Sequence, residues 1–139
     1  MFNSDLDLYR EQILDHARCR RNWRLLDAPD FDHEEENTLC GDHLHLTLKW
    51  DANRVIREVG WGGHGCAISQ ASASMLGEKL IGMTLEQAHQ LSRDDVLELL
   101  GIPLTPNRMK CALLALKVLV VGTAGLPQWE HIEDSALPE

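Results

Sequence analysis

Four residues of this 139-residue chain, Cys19, Cys40, Cys66 and Cys111, are the natural place to look for chemistry. A thiolate is both a nucleophile and a soft metal ligand. The four are too few and too scattered for a disulfide framework, and a reducing cytosol would keep them as thiols. Three of them sit where backbone geometry, rather than core packing, fixes them. Cys40 is followed by Gly41 and Asp42 just before a strand, Cys66 opens a helix behind a Gly-rich turn, and Cys111 lies in the first turns of the last helix. The unpaired N–H groups and the dipole of a helix N-terminus favour a thiolate, which applies to Cys66 and, further along its helix, to Cys111. Zinc takes four tetrahedral ligands from thiolate, imidazole and carboxylate, so three cysteines and Asp42 would satisfy it. Spacing alone does not decide the matter. The intervals, 66 − 40 = 26 and 111 − 66 = 45 residues, contain no C-x-x-C knuckle, and separate buried thiols remain open beside a shared site.

The elements that must position these residues are legible from periodicity. Leu6, Tyr9, Ile13 and Leu14 recur at helical spacing within residues 6–18, with Asp5 as a cap. The stretch Asp27 to Asn37 is acidic and contains a proline, and reads as a connection with at most a weak edge strand. From His43 to Trp50 alternation puts Leu44, Leu46, Leu48 and Trp50 on one face and His43, His45, Thr47 and Lys49 on the other. Turn residues 51–54 then join this strand to Val55–Trp61 as an antiparallel hairpin. Gly60, Gly62, Gly63 and Gly65 crowd its end. A helix starts at Cys66 and carries Ile68, Ala71, Ser72, Met75, Leu76 and Leu80 at helical intervals. Thr84 and Ser92 cap two short helices, the second ending at Gly101, and Thr105 with Pro106 starts the last, ending at Gly122. The expected fold is α/β of the α+β kind: a small antiparallel sheet against four to five helices, in one domain over residues 1–122 with a loose tail over 123–139.

Composition narrows the function classes. A hydrophobic fraction of 44% suffices for one packed core. No run approaches the roughly 20 apolar residues of a membrane span, and MFNSDLDLYR lacks the apolar stretch of a secretory signal, so a cytoplasmic protein is expected. A net charge of −9 and an isoelectric point near 5.2 argue against nucleic-acid binding through phosphates, and proteins are the expected partners. Nothing resembles a nucleotide-binding loop or a serine-type triad, so independent turnover of a small molecule is not expected.

The literal sequence around each cysteine adds what spacing cannot. The segments ILDH (Ile13–His16), CGD (Cys40–Asp42), GHGCAISQASASML (Gly63–Leu76) and RMKCALLALKVL (Arg108–Leu119) resemble, together and in order, the U-type iron–sulfur cluster assembly proteins, the SufU, IscU and NifU N-terminal family, over about residues 5–122. The resemblance implies a SufE/NifU-like fold and a ligand set of Cys40, Asp42, Cys66 and Cys111.

Within the family, the scaffold type usually has a histidine before its third cysteine, whereas the SufU type has a lysine or arginine. Lys110 occupies that position here, and its charge can steady a thiolate or persulfide. The 45-residue interval between Cys66 and Cys111, by contrast, is scaffold-like. The leading implication is a zinc-dependent sulfur acceptor for a pyridoxal-phosphate cysteine desulfurase of the SufS/IscS kind, delivering to downstream assembly proteins or apo-proteins. Cys40 is the first choice of acceptor and Cys111 the second. The alternative is a scaffold on which a [2Fe–2S] cluster is built and passed on. A purely structural zinc domain is the third reading. His64, His43 and His45 read as solvated imidazoles, Cys19 as incidental, Met75 and Met83 as core, and Glu34–Glu36 as a solvated acidic loop.

Overall fold

The computed structural model describes residues 4–38 and 41–136. In chain order it contains α1 (Ser4–Arg18), β1 (Phe31–Asn37), β2 (Asp42–Trp50), β3 (Ile56–His64), α2 (Ala67–Leu80), α3 (Leu85–His89), α4 (Arg93–Leu100), α5 (Pro106–Ala124) and α6 (Leu126–Ala136). The three strands form an antiparallel sheet in the order β1-β2-β3. The alternation in β2 does what its period requires. Leu44, Leu46 and Leu48 are fully buried on the face that receives α2 and α5, where Trp61, Leu76, Leu80, Leu114, Leu116 and Leu119 complete the core. Burial of each such leucine contributes roughly 1.5–3 kcal/mol. A second, smaller core joins Ile13 of α1, Ala71 and Met75 of α2, Leu100 of α4 and Ala112 of α5. Met83 packs at the edge of the main core, as expected for a methionine in that position.

α2 lies between α1, α5 and the sheet and buries three serines, Ser69, Ser72 and Ser74. Small side chains let the helices approach closely, and each hydroxyl has a partner, as burial demands. Ser72 donates to the Ala112 carbonyl at 2.6 Å, pinning α2 to α5. Ser74 accepts the Arg21 N–H at 2.9 Å and lies 2.7 Å from His16 Nδ1, pinning α2 to α1 and the segment that follows it.

The caps fall where the sequence puts them. Thr84 and Ser92 each close a reciprocal capping box, with Gln87 and Asp95, and Thr105 caps α5 with Pro106 behind it. Three expectations are corrected. The acidic stretch before β2 is a full seven-residue strand, β1, in register with β2 from Phe31↔Leu48 to Asn37↔Asp42. Its acids are accommodated by β2: Glu34 meets His43 at 3.0 Å and Asp32 meets His45 at 2.5 Å, so the acidic side chains of one strand face the imidazoles of the next. Glu35 adds contacts to His33 at 2.6 Å and Lys117 at 3.9 Å.

Gly122 does not end α5. A Cβ there would lie 2.5 Å from the Phe31 ring, so this glycine serves the close packing of β1 on α5, and the helix runs two residues further. The tail after residue 122 is not loose throughout, because α6 forms over 126–136 and buries Trp129, 4% exposed, in the main core. The apolar anchor outweighs the polar composition around it. Among the described residues no helix is long and apolar enough to cross a membrane.

Candidate metal centre

Asp42 is the first residue of β2 and is only 4% exposed. Its position at the strand end, paired in register with Asn37, directs it toward the start of α2, where its Oδ1 accepts the Cys66 N–H at 3.1 Å. This approach requires a glycine before Cys66. A Cβ on Gly65 would stand 2.2 Å from Ser69 Oγ and 3.0 Å from Asp42 Cγ, so any side chain there would separate β2 from the helix.

Cys66 is the N-cap of α2, in extended conformation, and its sulfur makes no capping bond. An N-cap side chain ordinarily turns inward to accept a helix N–H. Here the sulfur is available to the site instead, while Asp42, from another element, takes the Cys66 amide. The first turn of α2 folds back on this point: the Ser69 hydroxyl donates to the Cys66 carbonyl at 3.1 Å, and the Gln70 side-chain amide donates to the Gly65 carbonyl. Cys111 comes from the opposite side. It is 5% exposed on α5, in the register set by the Ser72–Ala112 bond between α2 and α5.

Three donor atoms, one each from Asp42, Cys66 and Cys111, all lie within 4.8 Å of one another. Metal–ligand bonds of about 2.0–2.3 Å in tetrahedral geometry put donors about 3.3–3.8 Å apart, so modest side-chain closure brings these three onto one ion. Two sulfurs and a carboxylate from three different elements form a donor set that fits zinc. Cys40, the fourth residue of the expected set, lies outside the described residues, two positions before Asp42 in the chain.

The other sequence candidates do not join the cluster. Cys19 is exposed at the end of α1. His43 and His45 pair with acids of β1, and His64 meets the His43 ring edge-on with centroids 5.9 Å apart. Lys110 is exposed, next to Cys111 in the chain, and with Lys117, Asn37, Thr38, Leu114 and Trp129 borders a cavity of about 200 Å³. Sequence reasoning missed Ser69 and Gln70. The available signal was their position: hydroxyl and amide side chains in the first turn of a helix return to the backbone just before it.

Comparison with known proteins places the whole fold. The pattern of the NifU-like N-terminal domain family matches residues 8–131. The chain is 34% identical to the zinc-dependent sulfurtransferase SufU of Bacillus subtilis, across 88% of this chain and 95% of that protein. It is also 34% identical to the iron–sulfur cluster assembly scaffold protein IscU of Thermotoga maritima, across 81% and 89%. Among solved structures it superimposes with a TM-score of 0.67 on a protein of Fervidobacterium islandicum, described as a cluster assembly scaffold for the SUF system, at 27% identity over 81% of this chain and 93% of that one.

Proposed function

The chain belongs to the family of NifU-like N-terminal domains, and on that premise we propose that it serves iron–sulfur cluster assembly as a zinc-holding acceptor of sulfur from a cysteine desulfurase. The observation that carries this reading is the meeting of Asp42, Cys66 and Cys111 within 4.8 Å at the start of α2. Similarity to a relative named for zinc-dependent sulfur transfer, across nearly its whole length, and Lys110 before Cys111 support the acceptor over the scaffold.

In this reading Cys40, Asp42, Cys66 and Cys111 are the ligands. When bound, zinc holds the cysteines as thiolates and shields them from oxidation. Cys66, clamped at the helix mouth, and Cys111, buried in α5, keep the site in place. Cys40, on the connection between β1 and β2, is the acceptor. Its thiolate attacks the outer sulfur of the desulfurase persulfide. A sulfur–sulfur bond forms at Cys40, the one on the desulfurase breaks, and the desulfurase cysteine leaves as a thiolate. The hydrogen of the outer sulfur travels with it, so no external oxidant or reductant enters. The ammonium of Lys110, exposed and next to Cys111 in the chain, is the group that steadies the persulfide by charge in this reading.

Incubation with a pyridoxal-phosphate cysteine desulfurase and cysteine, followed by trapping and mass spectrometry, tests the assignment. Persulfide on Cys40, with loss of desulfurase stimulation in Cys40→Ser and an unchanged circular dichroism spectrum, is the expected result. Label confined to Cys111 overturns the Cys40 assignment, and label on none of the three cysteines overturns sulfur transfer.

A second reading, in which the same residues hold a nascent [2Fe–2S] cluster as cargo for apo-proteins, is favoured by the scaffold-like interval between Cys66 and Cys111 and by similarity to a relative named as a scaffold. Purified protein separates the two: stoichiometric zinc without colour supports the acceptor, and a visible iron–sulfur chromophore supports the scaffold.

A further inference from the structure

Ser69 is fully buried in the first turn of α2, where its hydroxyl donates to the Cys66 carbonyl at 3.1 Å and its Oγ accepts the Cys66 thiol, sulfur and oxygen lying 3.8 Å apart. The carbonyl does not depend on it, because the same oxygen accepts the Gln70 backbone N–H at 3.1 Å. The hydroxyl can therefore rotate away without leaving a buried acceptor unpaired, the usual obstacle to such a move. Without metal, the thiol hydrogen of Cys66 can point at Ser69 Oγ. Once the sulfur binds an ion as a thiolate, that hydrogen is gone and a negatively charged acceptor has taken its place. A hydrogen bond to a charged acceptor is about twice as strong as a neutral one.

We propose that Ser69 is a positioning residue that donates its hydroxyl hydrogen to the metal-bound Cys66 sulfur, fixing Cys66 as a ligand that stays while Cys40 exchanges; this rests on the metal centre of the proposed function. The turn around it is tied down in the same sense. The Gln70 side-chain amide holds the Gly65 carbonyl, and its Oε1 accepts Arg20 Nη1 at 3.1 Å, with the Arg20 guanidinium 4.5 Å over the Trp23 ring. Cys66 is thus held from its carbonyl side, through Asp42 at its amide, and through Ser69 at its sulfur. No comparable set of bonds is needed for a ligand that must leave.

Cobalt(II) titration of the full chain and of Ser69→Ala tests this, with thermal melts of the metal-free proteins alongside. A hydrogen bond lowers the energy of the sulfur lone pairs, so its loss should move the thiolate-to-cobalt charge-transfer band to longer wavelength. Affinity should fall about 10-fold, the lower end of the range for partners of metal ligands, while the metal-free melt stays unchanged. A band at the same wavelength with unchanged affinity overturns the proposal. So does an affinity loss that merely follows a lowered metal-free melt with the same spectrum, since that is a helix effect. Absence of any thiolate–cobalt band in the unaltered chain overturns the metal centre itself and Ser69's role with it.

Discussion

The backbone N–H of Cys66 lies 3.1 Å from Oδ1 of Asp42, and the side chains of the same two residues belong to the one cluster able to hold a metal among the described residues. On the proposed metal centre Asp42 has two tasks: it receives the start of α2, and it would offer a carboxylate to the ion. An amide can do the first and is a poor substitute in the second. Asp42→Asn should leave the metal-free melting temperature within a few degrees of the unaltered chain and lower zinc affinity at least about 10-fold. Calorimetric zinc titration beside a thermal melt checks both halves, and a large loss of stability with intact affinity would reverse the assignment of tasks.

Gly65→Ala probes the closeness of that approach. The added methyl would stand 2.2 Å from Ser69 Oγ, so the turn must shift and carry Cys66 away from Asp42. Metal affinity should fall by about 100-fold, while the sheet and α5, held by their own core around Leu46, Leu48, Leu116 and Leu119, keep the far-ultraviolet circular dichroism spectrum.

Lys110→His introduces an imidazole where only a charge stood, next to Cys111 on α5. An imidazole ligates soft and borderline metals well. The variant should yield more reconstituted [2Fe–2S] protein with a longer half-life in the visible spectrum and accept less sulfur from a desulfurase. Unchanged cluster yield and lifetime would remove Lys110 as the discriminator between acceptor and scaffold.

His16 makes stability depend on pH in a defined direction. Burial, and then the nearby Arg21 guanidinium, hold its imidazole below the ordinary range, against a weaker opposite pull from Glu78 and Asp15. The unfolded chain then binds a proton more readily than the folded one. Its contribution is complete above the unfolded value, about pH 6.5, and is lost as pH falls toward the folded value. Urea midpoints should drop between pH 7.5 and 5.5, and His16→Gln should flatten that dependence.

Trp129 supplies the prediction for α6. Trp129→Ala should cost about 3 kcal/mol in urea unfolding, as for other buried aromatics. Trp129→Phe should cost far less, because the indole N–H is buried without an acceptor and its removal relieves a desolvated donor.

The β2–β3 hairpin and the starts of α3, α4 and α5 were legible because each rests on a local rule: alternation in β2, and the hydroxyl caps of Thr84, Ser92 and Thr105. What escaped depended on partners distant in sequence. β1 reads as a polar loop until His43 and His45 are set opposite its acids. Gly122 reads as a stop until Phe31 is seen against it. At the centre, the motifs named Asp42, Cys66 and Cys111, yet nothing in their spacing shows that they converge. Ser69 and Gln70 were hidden because their role is toward the backbone of the preceding turn.

The site draws on segments made at different times, and this sets an order of events in the cell. With 111 − 66 = 45 residues between the two cysteines and synthesis at about 5–20 residues per second, Cys66 exists for about 2–9 s before Cys111 has been added. During that interval Asp42 and Cys66 can offer an ion only part of a coordination shell, with no α5 behind them. On the proposed metal centre, Asp42, Cys66 and Cys111 can act together only once α5 has been made, and until then the helix-mouth thiol of Cys66 stands without Cys111 beside it.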